Sequence, residues 1–186
     1  MQGPDTFIEL VPVEQASGAR KALYDDMERV RGKGRVSNMF KAYAAFPELG
    51  AANFKRLSVL LGQGTLSLLL KEAVMTALSV INHCDYCVSF HGSQMQSLGV
   101  DDAAIAATRA FDPGAIGLDE KARALFDYAM KANGDPHSIM PEDIEKCRAL
   151  GTTDAEFVEI LETVNTGNSF NTFTGALNIG ADDFLS

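Results

Sequence analysis

The side chains that most often carry chemistry are concentrated in one short stretch, HCDYCVSFH, which runs from residue 83 to residue 91. It contains two of the three cysteines and two of the three histidines of the chain. A redox-active dithiol, a metal site and a pair of packed core cysteines would all use such residues. The choice among these three interpretations depends on how the surrounding elements position the side chains.

The residues before and after this stretch predict a helical hairpin. The segment LSLLLKEAVMTALSVIN is apolar almost all round, which is typical of an interior helix. Asn82, His83 and Asp85 then favour caps and turns over helix continuation. We therefore expect two antiparallel helices with a corner near residues 82–83. Glu72 and His91 lie at similar distances from that corner, so their side chains should come to about the same height.

The second helix would place three reactive side chains on one face. Cys84, Cys87 and His91 stand at offsets of zero, three and seven. In the first helical turn, free N–H groups and the helix dipole lower a cysteine pKa from its usual value of roughly 8.5. His91 can take the proton, Glu72 can orient His91, and the C-x-x-C spacing lets one sulfur attack the other after oxidation.

Two other interpretations remain open. Cys84, Cys87, His91 and His83 supply the side-chain types of a zinc site, but His83 would point about 100° away from Cys84 on a helix. No second C-x-x-C or H-x₃-H segment exists elsewhere. In the packing alternative, the two cysteines are only core residues, because helix positions spaced at i,i+3 can both face the core. We rank redox chemistry first because Glu72 and His91 accompany the pair, and sulfur redox chemistry requires no metal or organic cofactor.

These residues also carry a resemblance to a known family. The pattern E-x₁₁-C-x₂-C-x₃-H, formed by Glu72, Cys84, Cys87 and His91, resembles the alkyl hydroperoxidase D-like branch of the carboxymuconolactone decarboxylase superfamily. The flanks look like its uncharacterised peroxidase-related subgroup, in three segments: VSNMF at 36–40, FPEL at 46–49 and SVINHCDYC at 79–87.

The resemblance implies an all-helical fold that assembles as trimers or hexamers, with the site near a subunit contact. It implies that Cys87 is the peroxidatic cysteine and that Cys84 is the resolving thiol that meets the external reductant. Glu72 and His91 would form the proton relay, and a lipoylated or other dithiol protein would restore the thiols. The characterised hydroperoxidase has a histidine before its second cysteine, where this chain has Tyr86. A packing role and a relay role for Tyr86 both stay open.

The rest of the sequence predicts the fold in which this site lies. Helical periodicity dominates and predicts an all-α fold of about eight helices in one domain spanning residues 1–186, with the C-x-x-C at the N-terminus of a core helix. Asp101, Asp119 and Thr153 stand where N-caps belong. Three amides, Asn165, Asn168 and Asn171, follow at steps of three, and we expect interhelical hydrogen bonds or a contact surface from them.

Charge and targeting signals restrict the partners. The net charge of −9 disfavours nucleic acid, and the one basic cluster (Arg29, Arg31, Lys33, Arg35) is expected to be a solvated connection. No apolar run of membrane-spanning length and no secretory signal is seen, so we expect a cytoplasmic protein that does not enter membranes.

The residues and the resemblance together predict a cysteine-dependent peroxidase or thiol–disulfide oxidoreductase that reduces small hydroperoxides, and the resemblance implies a homo-oligomer. The alternatives are a non-enzymatic helical oligomer with a redox-sensing dithiol, and a zinc-binding protein.

Overall fold

The all-α prediction is confirmed by the computed structural model, which describes residues 6–185. Within this range the chain forms nine α-helices and no β-strand. The helices are α1 (Gly18–Arg31), α2 (Asn38–Tyr43), α3 (Pro47–Gly62), α4 (Leu68–Ile81), α5 (Asp85–Ser97), α6 (Asp102–Arg109), α7 (Glu120–Gly134), α8 (Pro141–Ala149) and α9 (Asp154–Ala176). Short 3₁₀ turns occupy Val13–Gln15, Pro113–Ile116, Pro136–Ser138 and Asp183–Leu185.

Several helix ends lie where local chemistry predicts them. The side chains of Asp101, Asp119 and Thr153 each accept a hydrogen bond from the backbone N–H three residues later. Gly32 ends α1 with a positive φ of 100°, a conformation that costs glycine little because it lacks a Cβ. Pro47 starts α3, where its missing N–H needs no partner.

The interior helix of the fold is α4. Every residue from Leu70 to Ser79 is buried, and the helix packs against α5, α6, α7 and α9. One apolar cluster forms around α4, α6, α7, α8 and α9, and a second forms from α1, α2 and α3 with Phe170 of α9. Burial of a large apolar side chain contributes about 1.5–3 kcal/mol, so the first cluster, which contains five residues of α4, supplies much of the driving force that fixes this helix in place.

Two consecutive residues of α4, Lys71 and Glu72, have buried ionisable side chains. Lys71 is 1% exposed, and its Nζ lies 2.5 Å from Glu159 Oε1 and 2.6 Å from the Leu60 carbonyl oxygen. Burial alone would raise the pKa of Glu159, but hydrogen bonds from Lys71 and from the N–H of Thr65 hold it below its usual value. Lys71 is thus paired, which leaves Glu72 to face a different partner.

No helix in residues 6–185 combines the length and apolar character needed to cross a bilayer.

Candidate active site

The predicted hairpin between α4 and α5 is confirmed. Asn82 ends α4, His83 adopts a left-handed φ of 53°, and Cys84 is the N-cap of α5. The turn is closed by the Cys84 N–H, which donates to the Ser79 carbonyl at 2.9 Å. Asn82 Nδ2 donates to Asn168 Oδ1 at 2.7 Å and so ties the corner to α9.

The hairpin brings Glu72 and His91 together. His91 Nδ1 lies 2.7 Å from Glu72 Oε2, and the two side chains are 15% and 3% exposed. A buried carboxylate is costly without a partner, and the imidazole provides one. With Glu72 ionised, Nδ1–H donates to the carboxylate, so Nε2 is the nitrogen left free to accept or release a proton.

The two sulfurs lie at the N-terminus of α5. Cys84 and Cys87 are joined as a disulfide, with their Cα atoms 5.3 Å apart, and each residue is 4% exposed. The Cys87 N–H also lies 3.3 Å from Cys84 Sγ, which places this sulfur at the positive end of the helix. A thiolate formed here after reduction would be stabilised by the same N–H groups.

A hydroxyl that the sequence did not single out contacts both sulfurs. Thr174 Oγ1 of α9 lies 3.1 Å from Cys84 Sγ and 3.2 Å from Cys87 Sγ. In this oxidised state the hydroxyl lies 2.7 Å from the Phe170 carbonyl, to which it donates. Its position ninety residues from Cys84 explains why no local pattern indicated it.

A pocket of about 240 Å³ lies beside the α1–α3 cluster, whose Met39, Leu57 and Phe170 line it. Cys87, Glu72 and His91 are on its wall, whereas Cys84 is not. Most of the rest of the wall is apolar, built from Met39, Leu57, Leu61, Leu68, Met75, Phe90, Phe170 and Phe184. A pocket of this kind suits a small organic molecule whose reacting atoms reach Cys87.

Tyr86, which stands where the characterised hydroperoxidase has a histidine, pairs with the C-terminal segment. Its hydroxyl donates to Asp182 Oδ2 at 2.9 Å, and the ring packs against the α1–α3 cluster. Burial, the Asp182 charge and this hydrogen bond raise the pKa of Tyr86 well above its usual value. The phenol therefore stays protonated and does not replace a basic relay histidine.

The prediction of a solvated basic cluster is wrong for Arg31. Its side chain is half-buried, with Cζ 5.7 Å from the ring centroid of Phe90, 5.8 Å from Phe54 and 6.0 Å from Phe40. Arg31 lines the pocket together with Arg35, although the latter is exposed overall. Burial lowers the pKa of Arg31, and the nearby Tyr86, Glu72 and Asp182 oppose that effect. The packing of α1 on α3 places this side chain inside the protein. The glycine-bearing sequence around Arg31 does not indicate this.

The three asparagines that follow at steps of three in α9 differ in their contacts. Asn171 Oδ1 accepts from Ser79 at 3.2 Å, and Asn168 bridges Asn82 and Asn133, so these two form the expected interhelical bonds. Asn165 is exposed and contacts Glu162 on its own helix. None of the three lines the pocket.

The remaining candidates lie away from the pocket. Cys147 is buried in α8, and His137 is exposed. His83 is also exposed, whereas both sulfur-bearing residues are buried. In the described part of the chain, no group of three His, Cys, Asp or Glu side chains is arranged to hold a metal ion.

Residues 47–131, which include Glu72, both sulfurs and His91, match the model of the carboxymuconolactone decarboxylase family. The part of the chain that carries the candidate site is therefore similar to this family. The fold of the chain is that of alkyl hydroperoxidase D-like proteins.

Solved structures show the same fold over the full chain. An uncharacterised peroxidase-related protein from Silicibacter sp. TM1040 is 25% identical, with a TM-score of 0.82, covering 100% of this chain and 97% of its own. An alkylhydroperoxidase core, also a peroxidase-related protein, from Ralstonia eutropha JMP134 is 20% identical, with a TM-score of 0.81 and coverages of 99% and 96%.

The superfamily fold is not restricted to peroxidase-related proteins. A variant of the debrominase Bmp8 bound to 2,3,4-tribromopyrrole shares the fold at 17% identity, with a TM-score of 0.75 and coverages of 99% and 96%. A search of curated proteins found no match to this chain. The comparisons therefore show the fold of this chain without fixing its substrate.

Proposed function

We propose that this protein is a cysteine-dependent peroxidase that reduces small organic hydroperoxides through Cys84 and Cys87. The observation that carries the proposal is the presence of Cys87 and the Glu72–His91 pair on the wall of one largely apolar pocket. Sulfur, base and orienting carboxylate are the groups that thiol catalysis needs within one site. The wall favours a peroxide with an organic substituent over hydrogen peroxide.

The first half of the cycle oxidises Cys87. In the reduced enzyme, His91 takes the thiol proton, and the Cys87 thiolate attacks the terminal oxygen of the hydroperoxide. The O–O bond breaks, the sulfur becomes a sulfenic acid, and the alkoxide leaves as an alcohol after it receives the proton from His91. Glu72 stabilises the imidazolium that exists between these two proton transfers.

The second half closes and reopens the disulfide. The Cys84 sulfur attacks the sulfenic sulfur of Cys87, and the hydroxyl leaves as water after taking the Cys84 proton. A dithiol donor then reduces the disulfide and is itself oxidised. Because both cysteines are only 4% exposed, the donor has to present a slender arm, and a lipoyl group has that shape. We assign Cys84 as the sulfur that the donor attacks.

A peroxidase assay with a lipoylated donor in excess tests this proposal. Wild type should consume many equivalents of cumene hydroperoxide per chain, whereas Cys87→Ser should consume none. Cys84→Ser should allow at most one oxidation event in the pre-reduced protein. Cys147→Ser is the matched control, because this buried thiol lies in α8 away from the pocket, and it should behave as wild type.

Two results would reject the peroxidase. Wild-type turnover in Cys87→Ser would remove the assigned nucleophile. Consumption that stops at one peroxide per site with donor in excess would instead indicate the redox-sensing alternative, in which the dithiol responds without turnover. Metal analysis of protein purified without chelator separately tests the zinc alternative, which requires about one ion per chain.

A further inference from the structure

The side chain of Arg31 is placed in a way that the reaction above does not use. It leaves the last turn of α1 and lies among three aromatic rings at 5.7–6.0 Å, on the wall of the Cys87 pocket. Among residues 6–185, Glu72 and Asp182 act on the Arg31 guanidinium through their charges, without a hydrogen bond to it. Lys71 and Arg56, by contrast, have acidic partners in Glu159 and Glu162.

The nearby carboxylates are already engaged with other donors. Glu72 pairs with His91 at 2.7 Å. Asp182 accepts from the N–H of Asn38 and from the hydroxyl of Tyr86. These carboxylates contribute to the electrostatic field at Arg31, yet the directed N–H donors of the guanidinium remain available to a molecule in the pocket.

The charge of the pocket wall differs from that of the whole protein. The chain carries a net charge of −9, but the wall has two guanidinium groups, from Arg31 and Arg35, and one carboxylate, from Glu72. With His91 neutral, the wall has an excess of one positive charge in a mostly apolar setting. Electrostatic attraction is strongest in such low-dielectric surroundings, so an anion gains more here than at the outer surface.

We propose that Arg31 binds a carboxylate of the substrate, so that the preferred peroxides are amphipathic organic acids whose apolar body contacts the walls beside Cys87. This inference rests on the proposed function for the identity of the peroxide. It does not depend on that function for the binding of the carboxylate itself. The planar guanidinium can hold a carboxylate through two parallel hydrogen bonds, and the aromatic rings restrict its orientation. Arg35 at the exposed edge would attract the anion to the pocket.

Binding of a ligand that is not a peroxide tests the proposal independently of turnover. We would measure para-isopropylbenzoate and its neutral amide, para-isopropylbenzamide, by titration calorimetry. Wild type should bind the benzoate at least about tenfold more tightly than the amide. Arg31→Gln should lose about tenfold in benzoate affinity and none in amide affinity, while Arg31→Lys should retain part of the preference. Arg29→Gln, an exposed position on the same helix, is the matched control.

The outcomes separate this proposal from its rivals. Equal binding of benzoate and amide by wild type would overturn it without any variant having to fold. Unchanged benzoate affinity in Arg31→Gln, together with an alkylation profile of reduced Cys87 shifted to higher pH, would overturn it in favour of thiolate stabilisation by Arg31. Selective benzoate binding without peroxide turnover would keep the carboxylate site and reject the peroxidase.

Discussion

Glu72 and His91 are nineteen residues apart in the chain, yet His91 Nδ1 lies 2.7 Å from Glu72 Oε2. The contact joins the buried face of α4 to the pocket side of α5 across the corner at Asn82 and His83. Because the carboxylate holds one imidazole nitrogen, the other is presented in a fixed tautomer. This pair links the fold to the proposed chemistry.

Glu72→Gln should lower peroxidase kcat/KM by about 10²-fold, a typical contribution of acid–base catalysis. Glutamine has the same shape and can still accept a hydrogen bond, but it does not stabilise an imidazolium. Steady-state assays at neutral pH would measure the loss. Glu48→Gln, on the exposed side of α3, provides the matched control and should leave the rate unchanged. Full activity in Glu72→Gln would remove the relay from the mechanism.

Thr174→Val should make the reduced Cys87 less acidic, because valine has the shape of threonine without its hydroxyl. In the reduced protein, Thr174 Oγ1 can turn from Phe170 to donate to a thiolate at the positions it now contacts at 3.1 Å and 3.2 Å. Hydrogen bonds to charged groups contribute about 1.5–3 kcal/mol, so the pH profile of iodoacetamide alkylation should move upward by about one pH unit or more.

The serine variant provides the control for Thr174. Thr174→Ser keeps the hydroxyl and loses only a methyl group, so its alkylation profile should stay close to that of wild type. Equal profiles for the valine and serine variants would mean that the hydroxyl has no part in thiolate stabilisation.

Tyr86→Phe should change how stability depends on alkaline pH. Burial and the Asp182 charge raise the pKa of Tyr86 in the folded protein, whereas the unfolded chain ionises near pH 10. The contribution of Tyr86 to the free energy of unfolding is thus fully present below about pH 10. It is lost as the pH rises further, at about 1.4 kcal/mol per pH unit. Urea unfolding of wild type and variant at about pH 9 and about pH 11 would measure the difference in slope.

Other tyrosines also have raised pKa values, including Tyr24 at about 12, so the variant should retain some alkaline sensitivity. Its slope should nevertheless be shallower than that of wild type. Parallel slopes for the two proteins would show that Tyr86 ionises equally in the folded and unfolded states.

Gly50→Ala should destabilise the protein, whereas Gly62→Ala on the same helix should not. A Cβ at Gly50 would lie 2.8 Å from Leu23 Cδ2 and 3.2 Å from Tyr43 Cβ, so the buried Leu23 side chain would have to change position and Tyr43 would have to shift. Overpacking of this kind costs about 1–3 kcal/mol, only partly offset by the better helix propensity of alanine. A Cβ at Gly62 meets no atom within 4 Å. In urea unfolding, Gly50→Ala should have a lower free energy of unfolding than wild type, and Gly62→Ala should have a value equal to that of wild type or above it. Equal losses in the two variants would contradict the close approach of Leu23 and Tyr43 to Gly50.

Much of the hairpin could be predicted from the sequence because its causes are local. Asn82 and His83 interrupt an apolar helix, and the equal distances of Glu72 and His91 from that point follow from helix geometry. The N-caps at Asp101, Asp119 and Thr153 are local as well, since each side chain bonds to a backbone N–H three residues away. The catalytic roles of Cys84, Cys87, Glu72 and His91 stay predictions until the assays are done.

The contacts that Thr174, Asp182 and Arg31 make around the site could not be predicted in this way. Thr174 approaches the sulfurs from ninety residues away, and Asp182 meets Tyr86 from ninety-six. Arg31 stands in a basic, glycine-bearing stretch that has the composition of a solvated loop, and only the docking of α1 against α3 turns it inward.

By itself, the amino-acid sequence determined the helices, the corner and the four residues of the motif, because each depends on interactions within a few turns of chain. The tertiary structure alone decided which sulfur lines the pocket, which hydroxyl touches both sulfurs, and that the Arg31 guanidinium lines the same pocket as Cys87 in a protein of net negative charge. Those choices depend on how separate helices pack, and packing is set by the combined shape of many side chains that no short pattern contains.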